Sequence, residues 1–171
     1  MIILGIDPGL RCTGWGVIDI VGNRLAYVAH GVIVTDNTES MAARLAMLHQ
    51  ALVEIIQHHT PQAAAVEETF SNKNPLSSLK LGHARGVALT VPALYNVPVY
   101  EYAANRIKKA IVGAGHADKA QVAYMVQRLL PTAGAVQADA ADALAVAICH
   151  TQYNSFNEKV KLCSLPSLRG S

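Results

Sequence analysis

The sequence predicts an α/β fold, a five-stranded mixed β-sheet flanked by α-helices, from three features. Residues 2–7 form an apolar run that reads as a buried strand, hydrophobic on both faces. Two further β-rich runs, 14–20 and 25–34, flank Val21-Gly22-Asn23-Arg24, whose Gly-Asn centre suits a hairpin, so the sheet starts antiparallel. After residue 39 helical periodicity alternates with short buried strands, the pattern of crossover units with parallel pairing.

Taken in order, Met41, Leu45, Leu48, Leu52 and Ile55 mark one apolar helical stripe that Thr60-Pro61 stops. Residues 63–67 and 97–101 read as short buried strands, and 75–91, 103–111, 119–130 and 139–150 as helices. Periodicity fades after Tyr153, which predicts one domain over 1–152 and a poorly ordered C-terminal tail over 153–171. At 171 residues, 51% hydrophobic and 15% charged, the chain suits one soluble domain. It has no apolar run of the roughly 18 residues that a membrane span needs, and its start lacks the zones of a signal peptide. Cys12, Cys149 and Cys163 are odd in number and widely spaced, which fits a reducing compartment and predicts a cytoplasmic protein with no membrane partner.

The net charge of +2 is unevenly spread. Residues 1–70 hold three Lys/Arg against seven Asp/Glu, and residues 71–128 hold eight against two. The middle of the chain is therefore a candidate polyanion surface, although charge of this density also suits ordinary solvated helix faces.

Chemistry enters with Asp7, a carboxylate at the end of a buried strand, where an isolated charge is costly unless something pairs with it. If the strand 63–67 lies parallel to the first, its end brings Glu67 or Glu68 beside Asp7, and alternation allows only one of the two to face it. The C-terminal ends of parallel strands are where α/β sheets bind ligands. Asp139 and Asp142 share one face of the last helix, where like charges repel; helix capping is a sufficient account of them alone. Four acids on three elements point further, to a hard divalent cation such as Mg²⁺.

The segments GIDPG, VEETF-x-x-KN-x-x-x-x-LKLG-x-ARG, EYAANRIKKAIVGAGHADKAQV and QADAADALAVAICH resemble, in order and spacing, the RuvC-type Holliday junction resolvases of bacteria. The resemblance implies a ribonuclease H-like fold and a homodimeric, Mg²⁺-dependent endonuclease that cuts four-way DNA junctions. It places the catalytic and metal-binding acids on Asp7, Glu67, Asp139 and Asp142, and so chooses Glu67 over Glu68. It implies two Mg²⁺ ions per site, with Mn²⁺ as a substitute, and 5′-phosphate and 3′-hydroxyl products. Lys119 and Lys108 match basic positions near the site, Lys119 with a catalytic role. Arg11 and Lys73 are further candidates for DNA contact, ahead of Lys80, Arg85, Arg106 and Lys109, and Phe70 for stacking on an unpaired base. The helix 75–91, with Gly82, Ala84 and Gly86, matches the dimer interface, and family members work with the RuvA–RuvB branch-migration complex.

Two rivals share some of these features. A GID-x-G hairpin also opens the actin-like ATPases and sugar kinases, but those need a second domain for which no chain remains after residue 150. A junction-binding scaffold that does not cleave would have lost acids that are all present here.

Overall fold

Strand β1 (Ile2–Asp7) takes the centre of the sheet because it is apolar to both sides: Ile3 faces one helical layer, Leu4 and Ile6 the other. Each such buried side chain stabilises the fold by roughly 1.5–3 kcal/mol. The computed structural model describes residues 1–22, 24–68 and 74–163, the last ten as backbone only. Strands β2 (Cys12–Val21) and β3 (Arg24–Val34) run antiparallel, and Val21 pairs with Arg24 across the expected tight turn, where Gly22 takes φ 62°. Strand β4 (Ala63–Glu68) pairs parallel to β1, and β5 (Val99–Ala103) parallel to β4. The order β3-β2-β1-β4-β5 is the mixed five-stranded sheet that the sequence predicts.

Helix α1 (Met41–His59) starts where the Ser40 hydroxyl accepts from the Ala43 amide and stops at Thr60, which adopts φ 45°. It covers one face of the sheet together with α2 (Pro75–Leu94), burying Leu48, Leu52, Ile56, Ala84, Ala88 and Val91 against Leu4, Ile6, Val17 and Val66. The other face carries α3 (Ala104–Val112), α4 (Lys119–Leu129) and α5 (Ala138–Cys163). The approach of α5 is unusually close. A Cβ on Gly5 would overlap the Ala143 carbonyl, one on Gly14 the Asp139 carbonyl, and one on Gly16 the Leu144 side chain. Buried Ala140, Ala143 and Ala147 complete this small-on-small contact, which sets the start of α5 beside the end of β1.

Two boundaries differ from expectation. Strand β5 begins two residues later, because Val97 packs into the α1–α2 core as part of the preceding loop. Helix α5 continues through Cys163 and does not end at His150, so the expected boundary at 152 falls inside a helix. The fading apolar stripe misled, since a helix continues without one where propensity permits, and Tyr153 still packs on the core. Among the described residues no helix is long and apolar enough to cross a membrane.

Candidate active site

Strand alternation decides which acids meet. Ala65 joins the α3–α5 core and Val66 the α1–α2 core, so Glu67 turns toward α5 and Glu68 away from it. Ile6 likewise belongs to the α1–α2 core, which points Asp7 toward α5. The first turns of α5 supply Asp139 and Asp142 at the same end of the sheet. A cavity of about 310 Å³ is lined by Asp7, Glu67, Asp142, Lys108 and Lys119 over an apolar floor of Ile107, Val122 and Ala145.

The carboxyls are held in an environment that disfavours their charge. Burial, then the charges of Glu67, Asp142 and Asp139, push Asp7 up to about 8, against the pull of Lys119. Burial and then Asp142 raise Glu67, opposed by a hydrogen bond with Asp7 and by the ammonium groups of Lys119 and Lys108. Lys119 donates to Asp142 Oδ2 at 2.9 Å, and this bond and charge hold its ammonium above the usual lysine range.

The position of Lys119 has a local cause. Asp118 caps α4 by accepting from the Gln121 amide at 2.8 Å, and the Gln121 side chain accepts from the Asp118 amide at 3.0 Å. This reciprocal capping box fixes the first turn, of which Lys119 is the first residue. The turn after Asp7 is fixed as well. Thr13 Oγ1 donates to the Gly9 carbonyl at 2.6 Å, while Arg44 donates to Thr35 Oγ1 at 2.9 Å and to the Leu10 carbonyl at 3.1 Å.

Oxygen donors alone, crowded until burial and mutual repulsion force a proton onto Asp7, are the chemistry of a hard-cation site. The residues that fit such a cation are Asp7, Glu67 and Asp142, with Asp139 at the rim. As the side chains stand, no three His, Cys, Asp or Glu groups among the described residues form a finished cage. Lys119 occupies Asp142 instead, as a cationic partner that relieves part of the repulsion.

A profile of the RuvC family, crossover junction endodeoxyribonuclease RuvC, matches residues 3–150. The chain belongs to the RuvC family. The RuvC of Granulibacter bethesdensis is 60% identical over 153 residues, covering 90% of this chain and 86% of that protein. The solved Thermus thermophilus RuvC in complex with a Holliday junction substrate is 33% identical, with a TM-score of 0.85 over 92% of this chain and 96% of that one. The yeast mitochondrial Holliday junction resolvase Ydc2 shares the fold at 14% identity, with a TM-score of 0.62 over 92% of this chain and 83% of that one. The fold is thus the ribonuclease H-like one that the resemblance implies.

Of the residues expected from the RuvC resemblance, Asp7, Glu67, Asp142, Lys108 and Lys119 line one cavity. Asp139 is half-buried in the first turn of α5, outside the lining yet close enough to raise Asp7. Arg11 is exposed on the turn between β1 and β2 and is not part of the lining. Phe70 and Lys73 lie outside the described residues. Arg85 is paired with Glu101, and Arg106 lies over the Tyr153 ring, so both of these weaker candidates are engaged within the fold. Sequence reasoning missed the supporting groups. Asp118-x-x-Gln121 is a legible capping signature, and Gly14 in a strand signals close approach. The Arg44–Thr35–Leu10 brace joins distant segments and leaves no local pattern.

Proposed function

We propose that the chain is a metal-dependent endodeoxyribonuclease that resolves Holliday junctions in recombination and repair, cutting opposed strands in pairs and leaving 5′-phosphate and 3′-hydroxyl ends. The observation that carries this reading is the meeting of Asp7, Glu67 and Asp142 with Lys108 and Lys119 around one cavity, in a chain of the RuvC family. Two Mg²⁺ ions, for which Mn²⁺ would substitute, would supply an activated water and charge stabilisation at the leaving 3′ oxygen for an in-line displacement. Asp7, Glu67, Asp139 and Asp142 would hold them, Asp7 from the central strand of the sheet. Cations held there would offset the repulsion that raises Asp7, and Lys119, now bonded to Asp142, would be free to stabilise charge on the phosphate. Lys108, which lines the same cavity, holds the phosphate. Arg11 and Lys73 contact the backbone further out, and Phe70 stacks on a base unpaired at the crossover.

A second copy packs on α2. Leu76 and Leu79 are exposed there, and a side chain added at Gly82 or Gly86 would meet open space. A two-fold dimer matches the approximate two-fold symmetry of a junction and gives the paired cuts. Cooperation with RuvA–RuvB follows from the family resemblance, and a cytoplasmic location from the three cysteines, whose number and spacing suit a reducing compartment. The GID-x-G hairpin that the actin-like reading shares is outweighed by the RuvC match over residues 3–150, and the non-cleaving reading by the presence of all four acids.

The direct test is a mobile synthetic four-way junction incubated with the purified protein, with and without Mg²⁺. Paired symmetric nicks that ligase seals are expected only with metal. No cutting in either Mg²⁺ or Mn²⁺ would overturn the reading.

A further inference from the structure

The family match ends at residue 150, but α5 does not, and its next turn touches the segment that carries Lys108. Gln152 Nε2 donates to the Ala110 carbonyl of α3 at 2.8 Å. The Arg106 guanidinium of α3 lies 3.8 Å from the centroid of the Tyr153 ring. One turn earlier, His150 Nδ1 and the Tyr102 hydroxyl share a buried hydrogen bond of 2.8 Å at the end of β5.

Helix α3 needs such support. Nine residues are too few for an independent helix, and its N-cap, Ala103, offers no side-chain bond. Its last carbonyls lack partners within the helix. The Gly113 amide closes that of Lys109, and Gln152 closes that of Ala110. Ile107 and Ile111 face the core, and Lys108, between the two held points at Arg106 and Ala110, reaches the cavity of Asp7 and Glu67.

We propose that Gln152 and Tyr153 are positioning residues that clamp α3 and so set where the Lys108 ammonium meets the scissile phosphate. This rests on the reading of Lys108 as a phosphate contact.

Amide hydrogen exchange and junction cleavage test it together in the full-length double variant Gln152→Ala/Tyr153→Ala. Exchange across 104–113 should quicken while the amides of β1 and β4 keep their protection. The cleavage rate at saturating junction should fall roughly tenfold with KM unchanged, since displacing a positioned group by about 1 Å costs up to about 10²-fold. In a Lys108→Ala background the double variant should cost nothing more, because the clamp acts through that lysine. Tyr153→Phe, which keeps the ring under Arg106 and loses only the hydroxyl, should retain most of the rate. Unchanged exchange in α3, or an equal loss of rate with and without Lys108, overturns the proposal. A wild-type chain that cuts no junction defeats the nuclease reading instead, and the exchange measurement still decides the clamp.

Discussion

On the α1–α2 face of the sheet, Leu4, Ile6, Val17 and Val66 are buried against Leu48, Leu52 and Val91; on the α3–α5 face, alternate positions of the same strands carry Gly5, Asp7, Gly16 and Glu67. The first face is filled with bulky side chains and holds no part of the acid cluster. The second buries Ile3 and Ile18 as well but gives up bulk at Gly5, Gly14 and Gly16, so that a helix can come within contact of the backbone and bring its own carboxylates to the strand ends. Both faces bury a core, with Ile3, Ile18, Leu144 and Ile148 packed on the second, but the chemistry sits on that one alone, although a single strand serves both.

The largest effect that separates the faces is on cleavage. Asp7→Asn should lower the nicking rate by at least about 10²-fold, the scale for removing one charge-stabilising group at a reacting centre, while junction affinity and fold persist. Leu52→Ala should do the reverse, costing about 2–5 kcal/mol of stability and leaving the rate per folded molecule intact. Nicking assays, junction titration and thermal melts on the pair decide. Full activity in Asp7→Asn, or a rate lost with Leu52→Ala below its melting temperature, would break the division.

Close approach comes next in size. In Gly14→Ala the new methyl meets the Asp139 carbonyl, a backbone group, so α5 must shift at the turn that carries Asp139 and Asp142. A loss of roughly 1–3 kcal/mol is expected, as for other overpacked cores, with cleavage falling further than stability explains. Gly82→Ala, on the exposed side of α2, should leave the melting temperature of the isolated chain at or above the parent value, since nothing lies near its new Cβ and alanine favours helix.

The same face should show a pH dependence that the other lacks. Burial above all, and then Glu67, Asp142 and Asp139, push Asp7 from its ordinary 3.8 up to about 8 in the metal-free protein. The folded chain keeps a proton that the unfolded chain releases, so this contribution is complete below about pH 4 and is lost as pH rises through about 8. Asp7→Asn removes the titration and still donates to Glu67. Its stability advantage over the parent should therefore widen from about pH 4 to about pH 8, by up to a few kcal/mol, and then level. Denaturant melts in a chelating buffer across that range measure it; an advantage that stays constant with pH would show that Asp7 ionises normally.

Much of this division is legible in the sequence, and the illegible part has a physical cause. The apolar run before Asp7, the two β-rich runs that follow it and the stripe from Met41 to Ile55 are local patterns, and all are found as the expected elements. Asp7 was conspicuous because a strand-end carboxylate lacks a local reason. Choosing Glu67 over Glu68 required knowing which face α5 covers, a tertiary fact that the family resemblance supplied and the packing of Ala65 and Val66 explains. The Arg44 brace and the Gln152 and Tyr153 contacts join segments that nothing in the chain's periodicity links.

The smallest effect sharpens the comparison most, because it sets matched structural features on opposite faces. Ser40 caps α1 through the Ala43 amide, and Asp118 caps α4 through the Gln121 amide. Replacing either with Ala leaves a helix donor without its partner and should cost about 1 kcal/mol, a shift of a few degrees in melting temperature. Only the second cap stands beside the acid cluster, since Lys119 is the first residue of the helix it starts and reaches Asp142 from there. Asp118→Ala should therefore slow nicking several-fold at a temperature where both variants are fully folded, and Ser40→Ala should not slow it. Asp118→Asn, which caps equally well, should restore the rate. Equal slowing in the two alanine variants would mean that cleavage follows global stability, and no slowing in Asp118→Ala would mean that Asp142 alone places the lysine.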